Sequence, residues 1–172
     1  GLPAANKFDG KEPRGLYCLA DNPAHVWAVI GGELYRSTNH GETWSKQECG
    51  PEPRRIAGDP RNPRRFFVTC RDGVYEAIEG GARFARMEGS PAEGHRLTVD
   101  TLGRVYVLPW RAANGGIWRL ENNRWTRLRD DPYLQDIAVD PANPRRMMAV
   151  SNDHPYHDET FATGVWTSED DG

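Results

Sequence analysis

Short apolar segments recur along this chain of 172 residues at a nearly constant interval. Each interval opens with an apolar stretch that ends in an aspartate, and successive aspartates are 38, 41 and 40 residues apart. Apolar and polar residues alternate over short stretches, without the 3.6-residue spacing of an amphipathic helix. The pattern therefore predicts strands rather than helices. The four aspartates are Asp21, Asp59, Asp100 and Asp140.

The same order of elements follows each aspartate. A turn comes first, then an apolar strand, then a strand that begins Gly-x-aromatic, and in three repeats a closing aromatic residue at Trp44, Phe84 or Trp125. This order predicts four short antiparallel strands per repeat, A to D, which together make one β-propeller blade. The predicted B strands are 26–30, 65–70, 105–108 and 147–150, and the predicted C strands are 32–36, 73–76, 116–119 and 164–167.

We therefore predict an all-β chain, a β-propeller with about four of its four-stranded antiparallel blades present. The N-terminal segment 1–14 could supply a closing strand. The predicted blades are 15–53, 54–94, 95–134 and 135–172. Because the fourth has no predicted strand D, we expect it to be incomplete and the chain to be part of a longer one.

Tryptophan and cysteine add expectations about burial. Five tryptophans lie at repeated strand positions and are predicted to be core, with truncation of Trp44 to alanine costing about 3–5 kcal/mol. The three cysteines lack the spacing of a metal site, so three buried thiols are expected, with one disulfide and a free thiol as the alternative. The tryptophans are Trp27, Trp44, Trp118, Trp125 and Trp166, and the cysteines are Cys18, Cys49 and Cys70.

Charge and hydropathy exclude two classes of partner. The formal net charge is −3, which gives no field that attracts polyanions, so no nucleic acid is expected. No apolar stretch approaches the length that crosses a bilayer, so no membrane span is expected.

Several motifs resemble those of known propellers. Residues 37–44 read Ser-Thr-Asn-His-Gly-Glu-Thr-Trp, which matches the Asp-box (BNR repeat) signature, and 168–172 begin a second copy. The Asp-Pro-x-Asn-Pro turns at 59–63 and 140–144, with the passage 114–119, resemble xyloglucanase-type glycoside hydrolases of family 74. The resemblance covers the chain from Gly15 onward.

The resemblance implies a seven-bladed propeller and an inverting endo-glucanase or xyloglucanase that uses paired aspartates as acid and base on a β-glucan-like polysaccharide. It also implies an extracytoplasmic location, periplasmic or secreted, a polysaccharide or glycan and the remaining blades as partners, and no cofactor. The alternative is a non-catalytic scaffold that binds glycan or protein, similar to sortilin-type or assembly-factor propellers. A sialidase is a minor alternative, because no Arg-Ile-Pro-type opening motif is visible.

The meander predicts which edge of the blades carries function. A–B and C–D turns share one edge, which we call the turn rim, while B–C and D–A connections share the other, the loop rim. The turns at the first edge are short and repetitive, and the loops at the second vary in length and sequence. Variable loops on a repeated frame are where sites are expected.

Asp72 is a candidate catalytic residue, because 71–75 resemble a stretch that carries a catalytic aspartate in the xyloglucanase-type enzymes. The alternative is that Asp72 and Gly73 only form a hairpin turn. The polar loop 151–163 could supply an acid or base, or could be an ordinary surface loop. Its histidines and aspartates lack a recognised ligand spacing, so no metal is expected. The candidate catalytic residues are Asp72, Asp153 and Asp158, and the candidate substrate-binding residues are Arg71, Trp110, Arg111, Tyr133, His154, Tyr156 and His157.

Overall fold

The computed structural model describes residue 2 and residues 12–109, 113–151 and 164–172, and these form strands and turns without a helix. The strands, in chain order, are β1 Pro13–Leu19, β2 Asn22–Ile30, β3 Glu33–Ser37, β4 Ser45–Gln47, β5 Arg55–Asp59, β6 Asn62–Cys70, β7 Gly73–Ile78, β8 Arg83–Arg86, β9 Gly94–Val99, β10 Val105–Pro109, β11 Ile117–Glu121, β12 Arg124–Arg129, β13 Leu134–Val139, β14 Met147–Ser151 and β15 Gly164–Ser168.

Four sheets follow one another along the chain, and each pairs its strands in sequence order. Blade 1 contains β1–β4, blade 2 β5–β8, blade 3 β9–β12 and blade 4 β13–β15, and every neighbouring pair is antiparallel. The first strands of successive sheets lie beside one another. The all-β propeller prediction is therefore confirmed. The repeated aspartates Asp59, Asp100 and Asp140 lie at or just after the ends of these first strands, and Asp21 lies two residues after β1.

The core lies between the sheets and explains the uninterrupted apolar runs. On β6, Phe66 packs against Trp27 of blade 1, whereas the next residue, Phe67, packs against Val105 of blade 3. On β10, Tyr106 in turn packs in the cluster that holds Met147 of blade 4. Because each second strand is covered on both faces, successive residues are apolar rather than alternating.

The tryptophan prediction is correct for Trp27, is met in part by Trp125 and Trp166, which pack against the core clusters, and is wrong for Trp44 and Trp118. Trp27 has 0% exposure on the second strand of blade 1. Trp44, Trp118, Trp125 and Trp166 are only half-buried. They lie beyond the second strand of their sheets, where the cover from neighbouring blades is thinner.

The expectation of three buried thiols is also wrong. Cys70 is buried at the end of β6, Cys49 is half-buried after β4, and Cys18 is exposed on β1. Tyr17, next to Cys18, packs against the core between blades 1 and 2, so Cys18 points to the opposite face of the sheet. Among the described residues no further blade covers that face.

The face of blade 4 that points away from blade 3 is also apolar and open. Met148 is 52% exposed and Val165 is 61% exposed, and they lie on neighbouring strands. On blade 3 the equivalent of Met148 is Tyr106 and that of Val165 is Ile117, and both are buried in the cluster between blades 3 and 4. Blade 4 therefore has the same two-sided apolar pattern as the other blades, with one side uncovered in the described part of the chain.

Candidate functional site

The turn rim of blade 1 is fixed by its own hydrogen bonds. The Ser37 hydroxyl accepts hydrogen bonds from the backbone N–H groups of Asn39 at 3.2 Å and Gly41 at 2.8 Å. The Asn39 side-chain oxygen accepts from the Thr43 N–H at 2.9 Å, and the Trp44 indole donates to the Gly41 carbonyl at 2.7 Å. Gly41 has a φ of 89°, which glycine adopts without strain.

The same geometry recurs at the turn rim of blade 4. The Ser168 hydroxyl accepts from the N–H groups of Asp170 at 3.4 Å and Gly172 at 2.8 Å. Asp171 has a φ of 88°, as His40 has a positive φ at the equivalent position of blade 1. These two turns therefore share the bonds to the serine hydroxyl and two consecutive residues of positive φ.

A buried ion network joins blades 3 and 4 at the turn rim. Arg104 is 5% exposed and donates to Asp100 at 2.6 Å and to Asp171 at 2.6 Å. Arg119 also donates to Asp171, at 3.0 Å. Burial alone would raise the pKa of Asp171, but the hydrogen bonds and charges of the two arginines outweigh it and lower the pKa. These charges are paired with one another, so this rim has a structural role.

The loop rim holds Asp72 in a tight turn between β6 and β7. Its side chain is 42% exposed. Oδ2 accepts a hydrogen bond from the Tyr75 hydroxyl at 3.0 Å, while Oδ1 accepts none from the described residues. Arg86 donates to the Asp72 carbonyl at 2.7 and 3.1 Å, which fixes the backbone of the turn. Burial, followed by the bond to Asp72, raises the pKa of Tyr75 to about 12, so at neutral pH the phenol stays protonated and donates.

Arg71 lies beside Asp72 and belongs to a charged network that spans three connections. Its guanidinium donates to Glu52 at 2.7 Å, and Arg54 contacts both Glu52 at 3.5 Å and Glu93 at 2.5 Å. Glu52 and Arg54 lie in the loop between blades 1 and 2, and Glu93 lies in the loop between blades 2 and 3. The network orders the loop rim around Asp72. An open cleft of about 360 Å³ between Gly31 and Pro53 adjoins it.

Of the remaining predicted site residues, the structure describes Tyr133. Tyr133 is half-buried in the loop between blades 3 and 4, where its backbone N–H donates to Asp131 at 3.0 Å. Asp72 lies at the junction of blades 1 and 2, and among the described residues no hydrogen bond joins the two. The other predicted residues lie outside the described residues: Trp110, Arg111, Asp153, His154, Tyr156, His157 and Asp158.

Sequence reasoning missed a basic cluster on the first strands at the loop rim. Arg55 donates to the Arg14 carbonyl at 2.9 Å, and burial, followed by the charges of Arg96 and Arg14, lowers the pKa of Arg55. Arg96 contacts Asp136 of blade 4 at 3.5 Å. A repeated sequence position could have indicated this cluster, because Arg55 and Arg96 both precede the repeated aspartate of their blade by four residues. Tyr75, three residues after Asp72, was missed as its hydrogen-bond donor.

The described stretches contain neither a cluster of metal-binding side chains nor a helix of membrane-spanning length. Those residues contain no group of three or more His, Cys, Asp or Glu side chains that could hold a metal ion. They also contain no helix long and apolar enough to cross a membrane.

The fold and the two rims define a run of β-propeller blades, and comparisons with known proteins agree. No protein-family profile matches the chain. A xyloglucanase of Paenibacillus sp is 23% identical over 169 residues, which cover 72% of this chain and 16% of that protein. The family 74 (GH74) enzyme of Niastella koreensis superimposes with a TM-score of 0.73 at 19% identity, covering 92% of this chain and 28% of that structure. A nidogen/laminin complex matches with a TM-score of 0.62 at 19% identity, covering 83% of this chain and 57% of that one.

These matches show a propeller similar to those of the GH74 enzymes. The chain spans about a sixth of the length of the curated xyloglucanase and 28% of the GH74 structure. At such identities the structural matches show the fold alone.

Proposed function

We propose that this chain supplies part of the polysaccharide cleft of a glycoside hydrolase that acts on a xyloglucan-like β-glucan. The observation that carries the proposal is the turn at Asp72. It lies on the variable rim, where Oδ2 of its carboxylate is held by Tyr75 and Oδ1 is buried without a hydrogen-bond partner among the described residues. Sequence similarity to a xyloglucanase over 72% of the chain supports the same substrate class.

Asp72 would be one member of an inverting acid–base pair. In that mechanism one carboxyl protonates the leaving oxygen and the other activates water, with the two about 6.5–9.5 Å apart. The Tyr75 hydroxyl donates to Asp72 Oδ2 and so fixes the orientation of the carboxylate at the rim. Asp153 and Asp158 remain candidates for the second carboxyl, and Arg71 and Tyr133 remain candidates for contacts with the sugar, together with Trp110, Arg111, His154, Tyr156 and His157.

Two further parts of the proposal concern the whole protein. The open apolar face that contains Met148 and Val165 supports further blades of the same protein as a partner, because the equivalent faces of blades 2 and 3 are covered by the next blade. A polysaccharide substrate is too large to enter a cell intact, so the proposed location is extracytoplasmic.

The repeated turns at 37–44 and 168–172 are proposed to be Asp-boxes with a structural role.

The test is hydrolysis of xyloglucan by the protein encoded by the whole gene, measured as reducing ends released. Asp72→Asn is expected to lower kcat by at least about 100-fold, since proton transfer by a positioned side chain contributes about 10²–10⁴-fold. The matched control is Asp130→Asn, because Asp130 is an exposed carboxylate on another loop of the same rim. Unchanged activity in Asp72→Asn would remove Asp72 from the mechanism, and no hydrolysis by the wild-type protein would contradict an enzyme.

A binding scaffold without catalysis is the second candidate. The observation that favours it is the turn itself, in which Tyr75 and Arg86 bond to Asp72 as they would in a purely structural hairpin. The nidogen/laminin match shows that this fold also occurs in a protein–protein complex. Binding of xyloglucan without release of reducing ends would select the scaffold over the enzyme.

A further inference from the structure

Two of the three cysteines meet at the junction of blades 1 and 2. Cys70 ends β6 with 0% exposure inside the core cluster between these blades, and Cys49, in the loop that joins them, packs against that cluster. The two sulfur atoms are 3.8 Å apart although the residues are 21 positions apart. Cys18 is exposed on β1 and is not part of this contact.

Backbone hydrogen bonds hold the two segments together independently of the sulfurs. The Arg54 N–H donates to the Thr69 carbonyl at 2.8 Å, and the Arg71 N–H donates to the Pro51 carbonyl at 2.8 Å. These bonds lie on either side of Cys70, so the loop that contains Cys49 is fixed against the end of β6. A disulfide bond is about 2.05 Å long. The sulfurs therefore need to approach by about 1.8 Å. Cys49 is half-buried in a loop, whereas Cys70 lies at the end of β6.

We propose that Cys49 and Cys70 are a covalent modification site, at which an intramolecular disulfide ties blade 1 to blade 2 beside the Asp72 turn. The hydrogen-bonded segments place the two side chains in contact, and burial of Cys70 protects the bond once it has formed. The two residues that follow the cysteines in each segment, Gly50–Pro51 and Arg71–Asp72, belong to the loop rim. The disulfide therefore links the two segments directly before they enter the loop rim.

Oxidation requires a two-electron acceptor, and a small-molecule disulfide such as oxidised glutathione supplies it. The Cys49 thiol loses its proton to solvent and attacks one sulfur of the oxidant, which forms a mixed disulfide and releases one glutathione thiolate. The Cys70 sulfur then attacks Cys49, its proton passes to the departing second glutathione, and the intramolecular bond forms. Two protein thiols are oxidised, and one glutathione disulfide is reduced to two thiols.

The order of these two steps follows from the environment of each thiol. The hydrogen bond with Cys49 and then burial raise the pKa of Cys70, so its thiolate is scarce. Half-buried Cys49 is the sulfur that a dissolved oxidant can reach. Cys49 therefore attacks first and Cys70 resolves the mixed disulfide.

The test is incubation of the chain with oxidised glutathione, followed by acid quenching, alkylation, trypsin digestion without reductant and mass spectrometry. The expected product is peptide 47–54 joined to peptide 66–71, with Cys18 alkylated in peptide 15–36. The linked product is expected to be absent from Cys49→Ser and present in the matched control Cys18→Ser. Separate alkylation of Cys49 and Cys70 in the wild-type protein, or a link that uses Cys18, overturns the proposal.

A second measurement compares the melting temperatures of the oxidised and reduced protein. The bond closes a loop of about twenty residues, so the oxidised wild-type chain is expected to melt about 6–12 °C above the reduced chain. Cys18→Ser is expected to keep this shift and Cys49→Ser to lose it. A linked pair with an unchanged melting temperature would contradict a bond that ties the two blades together.

Discussion

Two tryptophans of blade 1 provide a matched test of where the core lies. Trp27 is fully buried between blades 1 and 2, with its ring 4.8 Å from the Phe66 ring and the Arg36 guanidinium 5.1 Å from its centroid. Trp44 is half-buried on its own turn and makes one hydrogen bond, to the Gly41 carbonyl. The same change, Trp to Ala, should therefore have different effects at two positions of one sheet.

The magnitudes follow from burial. Trp27→Ala leaves a large cavity in the core and is expected to cost about 3–5 kcal/mol. Trp44→Ala loses one hydrogen bond, worth about 1 kcal/mol, and part of the packing of its ring, for about 1–2 kcal/mol in total. This is well below the cost that the sequence alone predicts for Trp44, because its ring is only half-buried.

A third variant separates volume from polarity at Trp27. The indole N–H of Trp27 is buried without a hydrogen-bond acceptor among the described residues. Trp27→Phe keeps most of the ring and removes that unpaired donor, so it is expected to cost less than about 1.5 kcal/mol.

The assay is urea unfolding followed by far-ultraviolet circular dichroism, with equal m-values as the condition for comparing free energies. An equal cost at Trp27 and Trp44 would refute the assignment of the core to the second strands. So would a Trp27→Phe variant as unstable as Trp27→Ala.

Two further predictions concern buried charge and ionisation. Burial, and then the charge of Asp100, raises the pKa of Tyr106 to about 12 from 10.0, so its contribution to stability is complete below pH about 10 and is lost as the pH rises towards 12. In the Tyr106→Phe variant, the fall in unfolding free energy across this pH range should be smaller by about 3 kcal/mol. An unchanged pH dependence would contradict this assignment. Arg104→Ala leaves buried Asp100 unpaired and should cost about 3–5 kcal/mol, whereas Arg64→Ala, at an exposed pair with Asp21, should cost less than about 1 kcal/mol in the same denaturation assay. Equal costs for the two arginine variants would contradict the structural role of the buried network.

Much of the fold could be predicted from the sequence because the same pattern of strands occurs in each of the four repeats. The forty-residue interval and the apolar pairs such as Phe66 and Phe67 report strands that are covered on both faces. Burial of individual side chains could not be predicted in the same way. Trp27 and Trp44 both occupy repeat positions, and the difference between them depends on which strand receives cover from the next blade.

For the site, the sequence could predict only which edge of the blades carries it, and not which residues meet there. Chain direction alone places the B–C and D–A connections at one edge, but contacts across blades depend on how neighbouring sheets pack. The Arg71–Glu52 ion pair and the Cys49–Cys70 contact both join residues about twenty positions apart, one in the loop between blades 1 and 2 and the other at the end of β6 or just after it. No local pattern predicts either of them.

The central claim is that the loop rim binds polysaccharide and that the turn rim is structural. Hydrogen–deuterium exchange of the chain with and without a xyloglucan oligosaccharide tests it most directly. The account predicts slower exchange on binding at residues 50–55, 71–75 and 93–96, with no change at 38–44 and 168–172. Protection at the turn rim, or none at the loop rim, would contradict it.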